Sequence, residues 1–170
     1  MSANETDPVK GKQIRTIVCT YGLFYINFKE DNIMVELIIG KKGTGKTKQL
    51  IDSVNAAVNV AKGNVVFISN DKSRNMYDIS TKVRMAETAE FDIESYSEFL
   101  GFICGIVSGN FDITNIFVDG IFKIVGTESL DDFENFLARL DAMSKKFNIT
   151  FVITVSIDAE TAPEYIKKYV

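Results

Sequence analysis

Histidine is absent from this chain of 170 residues, and cysteine is rare. Without an imidazole the chain cannot build a histidine general base, a histidine metal ligand, or a serine or cysteine triad. Its two cysteines, Cys19 and Cys104, form no CxxC pair, which excludes a disulfide-stapled scaffold and a four-cysteine zinc site. This usage is typical of the reducing cytosol, so we expect a cytoplasmic protein. Carboxylates, lysines, hydroxyls and backbone amides remain, and phosphoryl chemistry uses these groups.

The sequence also lacks an apolar run of the roughly 20 residues that a membrane-spanning helix needs. Residues 16–28 come nearest, but Thr20, Tyr21 and Asn27 interrupt them and no small-x-small cleavage site follows. We therefore expect no membrane association and no secretion. The net charge of −4 gives no overall positive field that would attract nucleic acid.

Proline is scarce too, so no linker is evident, and the length is that of one domain. β-Branched apolar runs alternate with segments whose apolar residues recur every three to four positions, the patterns of buried strands and amphipathic helices. The predicted strands are residues 34–39, 64–69, 91–94, 113–120 and 149–156; the predicted helices are 46–61, one after the capping box Ser95–Glu98, one from Ser129, and one or two turns from Pro163. Residues 72–90 are predicted to be a loop with a short helix.

The main predicted strands are apolar on both faces and alternate with helices. This pattern predicts a mainly parallel sheet of about five strands with helices on both faces, a three-layer α/β fold. Right-handed crossovers then determine how the chain winds. In such sheets ligands bind beyond the carboxyl ends of the strands, and the most unusual segment of this chain lies at such an end.

That segment is GKKGTGKT, residues 40–47, which follows the first strand and opens the first helix. Gly40, Gly43 and Gly45 allow the loop to turn its amides towards a dense anion, where a Cβ would obstruct it. The dipole of the following helix adds positive potential at the same place. The backbone of this loop is therefore suited to binding a di- or triphosphate.

Two side chains complete the predicted site. The Lys46 ammonium can reach β- and γ-phosphate oxygens, and the Thr47 hydroxyl can ligate Mg²⁺. We expect the side chains of Lys41 and Lys42 to be solvated charges, although their backbone belongs to the loop. The alternative interpretation of residues 40–47 is a glycine-containing turn between a strand and a helix, with exposed lysines. The predicted nucleotide-binding set is the whole loop: Gly40, Lys41, Lys42, Gly43, Thr44, Gly45, Lys46 and Thr47.

With this loop the chain resembles the P-loop NTPase superfamily, whose Walker A element would be GKKGTGKT here. The second element of that family, Walker B, is an apolar strand ending in an aspartate that holds Mg²⁺, usually through water, and Ile116–Asp119 matches it. The alternative for Asp119 is a strand-end aspartate that enters a turn with Gly120. The resemblance covers residues 34–158 and implies a nucleotide and Mg²⁺ as ligands, with Lys46 and Asp119 as catalytic candidates.

The strand spacing is more similar to the RecA-like branch and to thymidine kinases than to small GTPases, and the chain is similar to small bacterial ATP-binding proteins. It departs from these relatives in two ways. Gly120 stands where many ATP hydrolases have a glutamate, and the four-cysteine zinc lid of thymidine kinases is missing. The stretch 154–158 lacks the Asn-Lys-x-Asp element with which GTPases read guanine, so ATP is the expected nucleotide. In RecA-like relatives a polar residue on this strand contacts the γ-phosphate or the attacking water, so the resemblance implies that role for Thr154 or Ser156. The alternative is that these hydroxyl side chains only form a turn.

Efficient hydrolysis needs a group that positions water and often an arginine, the latter worth about 10³–10⁵ in rate. The candidates for the group that positions water are Asp71 and Glu128. The candidates for the arginine are Arg74 and Arg84, which we expect near the edge of the sheet where the ligand binds. Our first hypothesis is a slow ATPase that a protein partner or homo-oligomerisation accelerates. The alternatives are a nucleotide switch without turnover and a kinase for a small metabolite. A nucleic-acid role is a minor alternative, since isolated RecA-like domains often form rings or filaments, although no basic cluster with interleaved aromatics supports it.

The recognisable nucleotide-binding domain is predicted to run from residue 34 to residue 170. The stretch Lys29–Met34 can be encoded by purine-rich codons that resemble a bacterial ribosome-binding site ahead of an ATG. Residues 1–33 would then be upstream sequence read in frame, with Met34 as the native start. The alternative is a genuine extension in which Thr16–Phe28 adds an edge strand or hairpin.

Overall fold

The computed structural model describes residues 34–71 and 77–170. Two interpretations made above therefore lie outside the described residues: both readings of residues 1–33, and the candidate role of Arg74. In the two described ranges, no helix combines the length and the hydropathy that crossing a membrane requires.

A five-stranded sheet whose strands all run parallel forms the centre of the fold. Its spatial order is β1-β5-β4-β2-β3. Because the strands share one direction, their carboxyl ends meet at one edge of the sheet, called the carboxyl edge below, and their amino ends meet at the other. In chain order the strands are β1 (Val35–Ile39), β2 (Asn64–Ser69), β3 (Arg84–Glu87), β4 (Ile113–Asp119) and β5 (Thr150–Val155).

Helices cover both faces of this sheet, which confirms the predicted α/β fold. On one face α1 buries Leu50 and Val54 against Phe67 and Phe117 of the sheet. The other face carries the remaining helices and an aromatic cluster, in which a fully buried ring such as Phe133 contributes about 1.5–3 kcal/mol. The helices are α1 (Lys46–Val60), α2 (Tyr96–Ser108), α3 (Ile121–Ile124), α4 (Phe133–Phe147) and α5 (Glu164–Lys167).

The predicted capping box does start α2. The Ser95 hydroxyl accepts a hydrogen bond from the backbone N–H of Glu98 at 3.2 Å. The Glu98 carboxylate reaches back to the backbone N–H of Glu94 at 2.7 Å. The first of these bonds satisfies a donor that the first turn of a helix leaves without an intrahelical partner, and the second holds the residue just before the N-cap Ser95. These local bonds are why a four-residue pattern sufficed to place this helix.

The strand beside β2 was predicted wrongly. It is Arg84–Glu87 rather than Phe91–Glu94, and the residues around Phe91 form turns in which its N–H bonds to Thr88 O at 3.1 Å. Among the described strands β3 is at the edge of the sheet with β2 as its neighbour; its side chains are partly exposed, and it shows no continuous apolar run. Residues 77–83 form turns, so the described part of 72–90 holds no short helix.

Two features follow β4 differently from the prediction. The third predicted helix begins at Phe133, after Asp132 with a φ of 60°, and not at Ser129. The backbone carbonyl of Ser129 instead accepts a hydrogen bond from Tyr96 Oη at 2.7 Å, so this residue anchors a connection. The short helix α3 was not predicted, because one helical turn is too short to show a period.

Candidate functional site

The loop 40–47 joins β1 to α1 at the carboxyl edge of the sheet. Gly45 caps α1 with a φ of 83°, in the left-handed region where a side chain would be strained. At Gly40 space is the limit, because a Cβ there would lie 2.8 Å from Thr44 Oγ1. The Thr44 hydroxyl donates to Lys41 O at 2.9 Å and closes the turn. Glycine at these two positions is thus a requirement of the loop's own conformation.

Lys46 folds back over the loop that precedes it. Its Nζ donates to the carbonyl oxygens of Gly40 and Lys41, both at 2.8 Å. Partial burial lowers the pKa of Lys46 from its ordinary value; the Asp119 carboxylate opposes this change and the Lys123 ammonium reinforces it. The Lys46 ammonium is thus held by neutral carbonyl oxygens, which phosphate oxygens could replace at a gain in charge pairing.

Asp119 ends β4 and accepts two hydroxyl hydrogen bonds on one of its oxygens. Thr47 Oγ1, in the first turn of α1, donates to Asp119 Oδ1 at 2.9 Å. Thr154 Oγ1, from β5, donates to the same Oδ1 at 3.0 Å and accepts from the Gly120 N–H at 2.6 Å. Because β5 lies between β1 and β4, the two predicted metal-binding residues and Thr154 converge at the point where these strands end.

This set of donors suits Mg²⁺, which prefers hard oxygen ligands such as hydroxyls and carboxylates. Thr47 and Asp119 supply only two side chains. Across residues 34–71 and 77–170, no group of three or more histidine, cysteine or acidic side chains could hold a metal ion. A Mg²⁺ ion bound by Thr47 and Asp119 would therefore draw its remaining ligands from phosphate oxygens and water, so its binding would depend on the nucleotide.

The exposed lysines of the loop differ from one another. Lys42 is exposed, as expected for a solvated charge. Lys41 is exposed as well, but its Nζ lies 3.0 Å from Asp158 Oδ2, in the segment after β5. The hydrogen bond from Lys41 lowers the pKa of Asp158. This ion pair ties the loop to the chain beyond the neighbouring strand, a contact that the sequence analysis did not predict.

The other candidates for hydrolysis are not gathered at the loop. Glu128 is exposed in the connection after α3, and no hydrogen bond or ion pair joins it to loop 40–47 within the described residues. Arg84 is the first residue of β3, in register with Val66 in the middle of β2 and three residues before the carboxyl end of its own strand. Asp71 lies two residues beyond β2, at the carboxyl edge.

Two residues have a part at this site that the sequence analysis missed. Thr154 was expected to contact a phosphate or to form a turn, whereas it is buried and holds Asp119. Lys123, on α3, packs its side chain over Gly120, with Cδ 3.4 Å from where a Cβ of that glycine would be. The positive charge of Lys123 helps to lower the pKa of Lys46, so Lys123 is a further cation near the loop. The sequence feature that could have indicated this role is the position of Lys123, one helical turn after the strand-end Asp119.

Comparison with known proteins shows the fold. No family model matches this chain, and no curated protein matches it either. Solved structures do match, 106 chains in all, so the fold is a common one. One of them is a KaiC-like protein from the hyperthermophilic archaeon Pyrococcus horikoshii, with a TM-score of 0.57 and 16% sequence identity over 81% of this chain and 69% of that one. At this identity the likeness shows a shared parallel α/β architecture, and the site has to be argued from its own geometry.

Proposed function

We propose that the protein binds ATP with Mg²⁺ on loop 40–47 and hydrolyses it slowly, unless a protein partner or self-assembly accelerates the reaction. One observation carries this proposal, the 2.9 Å hydrogen bond between Thr47 and Asp119. It joins a hydroxyl at the start of a helix to a carboxylate at the end of a separate strand, beside a loop whose glycines expose its backbone. The fold shared with a KaiC-like protein is compatible with such a site.

Each residue has a role in this proposal. The backbone amides of loop 40–47 and the start of α1 would hold the β-phosphate. Lys46 would exchange the carbonyls of Gly40 and Lys41 for β- and γ-phosphate oxygens. Thr47 would bind the metal directly, and Asp119, kept in place by Thr154, would bind it through water. A Mg²⁺ ion held by these residues would supply positive charge to neutralise what develops on the transferred phosphoryl group.

ATP is proposed rather than GTP because of the sequence at the end of β5. Residues 154–158 lack the element with which GTPases read guanine. Asp158, the acidic residue of that stretch, bonds Lys41 instead.

Gly120 favours a second candidate, a nucleotide switch that binds ATP without turnover. The residue after Asp119 has no side chain, so no carboxylate stands there to position water. Single-turnover phosphate release from bound ATP separates the two: a switch releases none on the time scale of dissociation. Release that requires an added small-molecule acceptor would indicate a kinase instead.

The test is a thermal-shift series with ATP, ADP and GTP, each with Mg²⁺ and with EDTA. A ligand at a hundredfold its dissociation constant stabilises a protein by roughly 2.7 kcal/mol, so Mg-ATP should raise the Tm by about 5–10 °C. ATP in EDTA should give a smaller rise. A chain whose Tm responds to none of these nucleotides would contradict the proposal.

A further inference from the structure

Four neighbouring strands, β3, β2, β4 and β5, carry a row of polar side chains at or next to their carboxyl ends. In the register of the sheet, Ser69 of β2 lies between Glu87 of β3 and Asp119 of β4, and Thr154 of β5 bonds Asp119 from the other side. Side chains alternate between the two faces of a strand. Phe67 and its register partner on β4, two positions earlier, pack towards α1, so this row points to the face that carries the start of α1.

Ser69 differs from the rest of the row because its hydroxyl has no partner. The residue is 2% exposed, and its Oγ makes no hydrogen bond with any part of residues 34–71 and 77–170. Thr154, equally buried, has two partners. A buried hydroxyl normally finds a partner, because losing water without a replacement costs stability. No atom of residues 34–71 and 77–170 supplies this partner, and in the ligand-free chain the Ser69 Oγ is closed off from solvent as well. We therefore expect the partner to arrive with a ligand, as a ligand atom or as a water molecule that enters when the site rearranges around it.

We propose that Ser69 is a positioning residue: when Mg²⁺ and the nucleotide bind, a water molecule enters between its Oγ and the Asp119 carboxylate, and this bridge orients the carboxylate towards the ion. This inference rests on the proposed function. Thr47 and Thr154 both donate to Oδ1 of Asp119, which leaves Oδ2 for the side where Ser69 lies in register. Adjacent strands are about 4.8 Å apart, a separation that one bridging water fits between short side chains.

The same geometry explains why the hydroxyl is there at all. A serine that only filled space would be replaced by alanine without loss, since a hydroxyl that bonds nothing in the protein adds no stability. Beside a metal, however, replacing a residue that orients a metal ligand typically changes the metal affinity by about 10–100-fold. Ser69 should therefore matter for Mg²⁺ and not for folding, and this difference can be measured.

The test compares Ser69→Ala with Ser144→Ala in the full chain. Ser144 is the matched control, since it is also buried but donates to Asp141 O at 2.7 Å, on α4. Without ligand, Ser69→Ala should melt at or above the wild-type Tm, whereas Ser144→Ala should melt below it. With ATP fixed and Mg²⁺ titrated, the Mg²⁺ concentration that gives half of the thermal shift should rise about tenfold in Ser69→Ala and stay unchanged in Ser144→Ala.

A double-mutant cycle then tests the bridge itself. If a water joins Ser69 to Asp119, Ser69→Ala should have no further effect on the Mg²⁺ midpoint in an Asp119→Asn background. A wild-type response to Mg-ATP together with an unchanged midpoint in Ser69→Ala would overturn this inference and leave the proposed function standing. So would a Ser69→Ala variant without ligand as destabilised as Ser144→Ala. A wild-type chain without any Mg-ATP response would instead remove the proposed function, and this inference with it.

Discussion

The two edges of the parallel sheet are built from different groups. At the carboxyl edge, Ser69 and Asp119 end their strands and Thr154 is the last residue but one of β5, beside loop 40–47. At the amino edge, a broad surface depression of about 690 Å³ is bordered by the exposed rings of Phe111 and Phe147. The carboxyl edge is the richer of the two in converging hydrogen bonds.

A phosphate site does not need a deep hollow. A polyphosphate is held by backbone amides, one or two cations and a metal, all of which a shallow loop can present. The depression at the amino edge is lined by Lys62 and Asp112, but among the described residues no set of side-chain hydrogen bonds converges there as it does on Asp119. The proposed function therefore places ATP binding at the carboxyl edge and gives the amino edge a structural role, and the variants below test this division.

The largest effect is expected for Lys46→Ala at the carboxyl edge. Charge-assisted bonds to phosphate oxygens are lost, so ATP affinity should fall at least about 100-fold, or about 2.8 kcal/mol. Lys62→Ala, an exposed lysine of the amino edge, is the matched control and should bind ATP like the wild type. Isothermal titration calorimetry measures both. Equal affinities in the two variants would remove the distinction between the edges.

Gly63→Ala, at the amino edge, should have the opposite effects, a loss of stability and an unchanged ATP affinity. A Cβ at Gly63 would collide with the backbone carbonyl oxygen of Asp112, which accepts a hydrogen bond from the Asn64 N–H at 2.7 Å. The variant should lose about 1–3 kcal/mol of the free energy of unfolding in urea denaturation, because the backbone must shift. Its ATP affinity at temperatures where it is folded should match the wild type. A folded Gly63→Ala that no longer binds ATP would show that the amino edge takes part in binding.

Thr47→Ala and Asp119→Asn should have intermediate effects confined to Mg²⁺. Thr47→Ala removes the proposed direct ligand of the ion, and Asp119→Asn removes the charge that would hold the ion through water, so ATP affinity in Mg²⁺ should fall about tenfold in each. In EDTA both variants should bind ATP as the wild type does, because their proposed contacts are to the metal. A loss of the same size with and without Mg²⁺ would point to damage to the loop rather than to a metal site.

Phe111→Ser should have the smallest effect. Its ring is 84% exposed, so the free energy of unfolding should change by less than about 0.5 kcal/mol, and ATP affinity should not change. Urea denaturation and calorimetry on one preparation give both values. A clear loss of ATP affinity in Phe111→Ser would contradict the structural role of the amino edge, just as an unchanged ATP affinity in Lys46→Ala would contradict binding at the carboxyl edge.

The fold and loop 40–47 could be predicted because their signals are local. β1, β2, β4 and β5 are continuous apolar runs, and the loop sets glycine, lysine and threonine at fixed spacing. The sequence could not show that Thr154 holds Asp119, nor that Ser69 lies beside it, since both facts depend on the register of strands far apart in the chain. β3 was misplaced because an edge strand with one neighbour carries little apolar pattern.

Backbone amide NMR of the labelled full chain, titrated with Mg-ATP, tests the central claim most directly, because it reports where the nucleotide binds. The account predicts that the largest chemical-shift changes fall in residues 40–47 and at Asp119 and Gly120. Residues 62–64 and 111–114, at the amino edge, should change little. The opposite distribution, with the amino edge shifted and loop 40–47 unchanged, would contradict it.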